Sequence, residues 1–285
     1  MTPKIEADKK VEIEQLNNFA LESIDQYQHL KIGQVFVNTP FFVNQIGLWF
    51  GELMRDANIP DDQIDDVFAM YKENKIPYGW FRGKGTPGEL TSAVYELAET
   101  MHLDLSRATP ESAAEFMKWL GLGVDCSGLV FNALDHAFTK AGVDGFIDTL
   151  DIVDSDTPRT KYRAGVFSFI GDASFPIKPK EVGPLDILIR TGWHDRAWHM
   201  GIILQREGYL LLAHSTLGLT PNGVQTSLFK VENNKPVFGF KPNLSPVDWE
   251  EHFDNGQMEF RRLNFVKDIK GREEMQDLRL RGERP

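Results

Sequence analysis

The sequence predicts an α+β fold, in which a mainly helical first half is followed by an antiparallel sheet, and three observations carry that prediction. Up to Gly142 the apolar residues recur three and four apart, the spacing of one helix face. Beyond a polar connection the chain changes to short runs of strand character bounded by turn residues. One connection between two such runs, Arg206-Glu207-Gly208, is short enough for a hairpin. At 285 residues the chain is long enough for one sizeable core, or one core with a small appendage.

Taken in order, Leu16, Phe19, Ile24, Tyr27 and Leu30 fall at helical spacing, so a helix is expected from about Val11 to Leu30. Thr39-Pro40 is a start signal for a second helix through Leu48, Phe50 and Met54, because Thr caps and Pro is tolerated in the first turn. The same pair recurs at Thr86-Pro87 and Thr109-Pro110, the latter helix ending at Gly121. From Cys126, the positions Leu129, Val130, Ala133, Leu134, Ala137, Phe138 and Ala141 form an apolar face, with Gly142 as the stop. Strands are expected over Gly165 to Ile170, Leu185 to Arg190, His199 to Gln205, Tyr209 to Ser215, Val224 to Val231 and Val237 to Phe240. The division that follows is a helical N-terminal extension (1–75), a main domain with a helical insertion (76–247) and a tail (248–285) expected to lie at the surface.

Composition narrows the function. Hydrophobic content of 41% and charged content of 26% are those of an ordinary soluble domain, which excludes wholesale disorder. A net charge of -11 repels phosphate backbones, so no nucleic-acid partner is expected. The longest apolar run, Phe41 to Met54, is interrupted and too short for a bilayer, so no membrane partner is expected either. A single cysteine forbids an internal disulfide framework, and the charged stretch Met1 to Lys10 has no apolar segment behind it. The expectation is a cytoplasmic protein, or a secreted one if a signal was removed.

Val124-Asp125-Cys126-Ser127-Gly128-Leu129-Val130 puts the only thiol in the first turn of a helix, where unpaired N–H groups and the helix dipole favour thiolate. Ser127 and Gly128 are small and are expected to leave room for a substrate beside the sulfur. A lone cysteine is more often core packing; the helix start and the glycine decide for chemistry. A thiol nucleophile needs a histidine to hold its proton. His199 begins one apolar strand and His214 ends the next. With a two-residue loop, His214 lies opposite His199 if the loop is Arg206-Glu207 and opposite Gly201 if it is Glu207-Gly208; both registers put the two rings on one face. His199 is then the base, and His214 the group that orients it.

The D-C-S-G-L-V stretch on a helix, the G-P-L-D-I-L-I segment of Gly183 to Ile189, the H-M-G-I-I-L strand and the A-H-S of Ala213 to Ser215 resemble the ordered motifs of NlpC-type peptidases. These are papain-like thiol proteases that cut peptide stems of the bacterial cell wall, and the likeness covers roughly Gly121 to Phe240. The resemblance implies a papain-like catalytic domain, with the Cys helix packed on an antiparallel sheet. It implies a catalytic set of Cys126, His199 and His214, and substrate binding by Asp125 and Ser127, which would hold the free amino end of a stem peptide. The family's tyrosine at the oxyanion site has Tyr78, in Pro77-Tyr78-Gly79-Trp80, as its nearest candidate, with two expected helices between it and the cysteine. Trp198, with Trp193, flanks the histidine strand as a candidate for lining a substrate groove. The loops Asp144 to Arg163 and Gly171 to Val182 lengthen the Cys-to-His interval and are candidates for a lid.

No cofactor and no metal are expected: Trp193-His194-Asp195-Arg196-Ala197-Trp198-His199 lacks ligand spacing, and Gly83-Lys84-Gly85-Thr86 lacks the glycine spacing and preceding strand of a phosphate loop. The expected function is a cysteine peptidase or amidase cleaving a small peptide or muropeptide through an acyl-enzyme. A same-fold acyltransferase uses the same residues. A non-catalytic binding module is the rival class.

Overall fold

The computed structural model of the chain describes residues 11–42, 83–143, 146–150, 165–192, 196–216, 223–238, 253–267 and 269. Helix α1 (Ile13–Gln28) buries Leu16, Ala20, Ile24 and Tyr27 on one face, as the spacing predicts. It stops before Leu30, where the sequence reading continued it. Leu30 instead opens a small hairpin, β1 (Leu30–Ile32) and β2 (Val35–Val37), turned at Gly33 with φ 59°. A side chain at Gly33 would meet the Leu105 carbonyl oxygen at 2.3 Å, so the turn needs glycine on both counts.

Thr39-Pro40 does not open a helix. The Thr39 hydroxyl donates to the Tyr27 carbonyl at 2.7 Å, Phe41 pairs with Val124, and the Val124 N–H donates to the Pro40 carbonyl at 3.1 Å. The start signal fails because this backbone is held extended against the strand leading into the Cys helix. The later part of that expected helix lies outside the described residues. The other two Thr-Pro pairs behave as predicted: α2 (Pro87–Thr100) and α3 (Pro110–Trp119) begin with reciprocal caps, Thr86 with Glu89 and Thr109 with Ser112. Helix α4 (Cys126–Lys140) is buried at Leu129, Val130, Ala133, Leu134, Ala137 and Phe138, and Gly142, at φ 71°, follows its end.

Seven strands complete the α+β fold: β3 (Ser174–Ile177), β4 (Ile187–Gly192), β5 (Arg196–Arg206), β6 (Tyr209–Thr216), β7 (Gly223–Glu232), β8 (Lys235–Phe238) and β9 (Met258–Leu263). They form one antiparallel sheet in the order β3-β9-β4-β5-β6-β7-β8. Alternation sorts the side chains: Ile187, Ile189, Met200, Ile202, Leu204, Leu211 and Ala213 pack with the helices, while Leu188, Ile203, Leu210, Leu212, Phe229 and Phe260 form a second cluster on the other face. No helix of the described residues is long and apolar enough to cross a membrane.

Three strand expectations are corrected. Gly165 to Ile170 holds a 3₁₀ turn, Val166–Phe169, in which the Ser168 hydroxyl accepts from the Gly165 N–H and outbids the β propensity of Val and Phe. β4 starts two residues late because Leu185, at φ 64°, belongs to a turn closed by the Asp186 carboxylate, which accepts from the Gly183 N–H at 2.8 Å and pairs with Arg262. The tail supplies β9, an interior strand hydrogen-bonded to both β3 and β4 rather than a surface segment.

Candidate active site

The hairpin of β5 and β6 pairs Arg206 with Tyr209, so its loop is Glu207-Gly208, both at positive φ. Of the two registers open to the sequence, this one carries His214 to the level of Gly201. The two imidazoles meet: His199 Nε2 lies 3.3 Å from His214 Nδ1, with the rings nearly perpendicular. A side chain at Gly201 would come within 2.6 Å of Leu212 Cδ1, 2.9 Å of the Ala213 carbonyl oxygen and 3.2 Å of His214 Cβ, so this position is kept bare by the strand opposite. Gly201→Ala is therefore expected to destabilise the protein by about 1–3 kcal/mol through overpacking, and to lower any His199-dependent turnover more than that loss of folded protein explains. Chemical denaturation beside a turnover assay of the folded variant checks both parts.

Cys126 lies on the helix that packs against β5, the strand that carries His199. The Ile203 N–H points to β4, donating to the Asp186 carbonyl at 2.7 Å, so the even-numbered N–H groups of β5 point towards β6. The β5–β6 ladder ends at Ile202 paired with Ala213. At the next even position the Met200 backbone lies near Cys126, and its N–H and that of Ser127 both act to lower the thiol's pKa. The Ser215 hydroxyl donates to the Val124 carbonyl at 2.7 Å and ties β6 to the other flank of the same segment. Cys126 is thus near the Met200 backbone, just past the point where the β5–β6 ladder ends. Cys126 packs with the helix-side cluster, whereas strand alternation puts His199 and His214 on the side of Ile203 and Leu212. The two histidines are brought together directly, while Cys126 lies with the helix-side cluster, across the sheet from the face that the rings share. A β-bulge between Arg190 and Thr191 lies beside His199, whose strand partner is Arg190.

The electrostatics differ from the sequence expectation. Burial first, and the Asp125 charge second, push the Cys126 thiol up to about 12, and these outweigh the backbone N–H groups and the Lys84 charge that act the other way. The helix start therefore does not make a resting thiolate. Burial also lowers His199 well below the ordinary imidazole range, with His214 and Arg190 adding to it, and lowers His214 to about 4. Resting thiol and rings are all neutral.

Asp125 caps α4, its carboxylate accepting from the Gly128 N–H. Lys84, only 6% exposed, donates to both Asp125 oxygens at 2.7 and 2.8 Å and to the Ser127 hydroxyl. Gly128 is filled rather than open: a Cβ there would lie 2.0 Å from the Gly83 carbonyl oxygen. The room expected beside the sulfur is taken by the protein's own backbone at Gly128. The sequence reading weighed Lys84 only as part of a stretch short of a phosphate loop, and missed this role, since its local signal is just a glycine on each side. Tyr78 and Trp193 lie outside the described residues, and of Trp198 only the backbone, in β5, is described. Among the described residues no group of three or more His, Cys, Asp or Glu is placed to hold a metal ion. Compared with models of known families, with curated proteins and with solved structures, the chain finds no match.

Proposed function

We propose that this protein is a cysteine hydrolase of papain-like type, a peptidase or amidase that cleaves an amide bond in a small peptide, with peptidoglycan stem peptides as the first class to try. The observation that supports the reading is that Cys126 opens α4, which packs on β5, while His199 of β5 and His214 of β6 are buried with their rings within hydrogen-bond reach of each other. In the proposed reaction His199 accepts the thiol proton as sulfur attacks the carbonyl carbon, and the amine leaves protonated by the same ring. Water then attacks the thioester carbonyl, its proton passing to His199, and the acid product departs with regeneration of the thiol. The Cys126 backbone N–H is the donor assigned to the oxyanion.

In this reading the neutral thiol and rings suggest the order of the steps. A thiol at about 12 does not hand its proton to an imidazole held below its usual range before attack begins. Proton transfer and carbon–sulfur bond formation therefore run together. For the proton to arrive at His199 Nδ1, Nε2 carries hydrogen and donates to His214 Nδ1.

A second reading, a fold kept for binding without turnover, is favoured by one observation: Cys126 is only 7% exposed and packs within the helix-side core cluster. Incubation with a muropeptide panel separates the two, hydrolysis of an amide bond supporting the first and unchanged peptides the second. EDTA is expected to leave that activity unchanged, and loss on chelation restored by zinc would reassign the chemistry to a metal.

A further inference from the structure

Lys84 is a buried cation whose place is set by backbone contacts as well as by its charge. The Gly83 carbonyl accepts the Asp125 N–H at 3.0 Å, Lys84 pairs with Val124 in a β-bridge, and the Asn132 amide donates to the Lys84 carbonyl at 3.1 Å. One residue on, the Gly85 carbonyl accepts the Tyr27 hydroxyl at 2.7 Å. The segment is thus fastened to α4 and α1, with the lysine side chain turned towards the residues that flank the nucleophile. Its ammonium meets three oxygens, two of Asp125 and one of Ser127. The same Asp125 carboxylate accepts from the Ser127 hydroxyl at 3.1 Å and from the Gly128 N–H. With its charge already matched by Lys84, this carboxylate would take a second ammonium only in competition with it, and a buried lysine is costly to unpair.

We infer that Lys84 is a built-in ammonium filling a cation site beside Cys126, so that the acyl half of the molecule Cys126 attacks presents no amino group to Asp125 and Ser127. This rests on Cys126 being the nucleophile, and it names the substrate class: acyl groups that are neutral or blocked at this position, rather than peptides read by a free amino end. Lys84 is then a specificity-determining and positioning residue, partly offsetting the Asp125 charge next to Cys126 and holding the cap of α4. It touches no reacting atom.

The test uses the full chain and its variants Lys84→Met, Lys84→Gln and Lys84→Arg. Cys126 is treated with methyl methanethiosulfonate, which is neutral, and with its 2-aminoethyl analogue, which is cationic, and the two rate constants are compared. The cationic-to-neutral ratio is expected to rise about tenfold or more in the Met and Gln variants, where Asp125 is left to attract the reagent, and to stay at the wild-type value in Lys84→Arg. In parallel, thermal midpoints are measured in ethylammonium chloride and in tetramethylammonium chloride at equal concentration. Ethylammonium is expected to raise the midpoint of the Met and Gln variants saturably, or to permit their folding, and to do neither for wild type. Equal behaviour in both salts, whether or not the variants fold, or an unchanged reagent ratio in variants whose thiol reacts, overturns the inference. A thiol that reacts with neither reagent in any folded protein, alongside ethylammonium rescue, removes the hydrolase reading and leaves the cation site standing.

Discussion

Cys126→Ser is expected to abolish turnover, by on the order of 10⁴-fold or more, while the protein stays folded. The hydroxyl is close in size to the thiol, so the packing of α4 against β5 is kept. The chemistry is lost because an imidazole whose basicity is already lowered has to deprotonate an alcohol, a far weaker acid than a thiol. Turnover at the wild-type rate by purified Cys126→Ser removes the cysteine mechanism. An unfolded variant by circular dichroism contradicts the packing account instead.

His199→Ala is expected to cost about 10²–10⁴-fold, approaching the loss of the cysteine, because the same ring takes the thiol proton and returns it to the leaving amine. His214→Asn is expected to cost less, roughly tenfold to a hundredfold, since an amide oxygen can still accept from His199 Nε2–H and keep the tautomer. The pH profile gives an independent reading. The base works when neutral, so activity falls as pH drops through the His199 pKa, which burial holds well below 6.5. The acid limb of kcat/KM is therefore expected below pH 6.5. An acid limb above pH 7, or normal turnover by His199→Ala, shows that another group is the base.

Much of this site was legible because its parts announce themselves locally. Asp125 followed by Cys126 and an apolar face at helical spacing is a helix start, and the structure begins α4 at Cys126. His199 and His214 bracket a loop short enough to force one of two registers, and either brings the rings to one face. What stayed hidden depends on contacts far apart in sequence. The tail gives no sign that Met258–Leu263 inserts between β3 and β4, because strand order is not a local property. Thr39-Pro40 carries the same signal as Thr86-Pro87, and only the competing pairing with Val124 makes it extended. Lys84 lies 41 residues before Asp125, so neither the ion pair nor its effect on the cysteine could be read from the spacing. The thiolate expectation failed for a related reason: the helix start is visible in sequence, whereas the burial that opposes it is not.

The central claim is that Cys126 is a nucleophile and not a core thiol, and the most direct measurement is the rate at which iodoacetamide alkylates it in the native protein, followed by intact mass. With one cysteine in the chain, a single adduct reports on this site alone. The account predicts one adduct under native conditions, slower labelling in His199→Ala, and protection by the peptides that are turned over. Labelling only after denaturation, at a rate indifferent to His199, would contradict it.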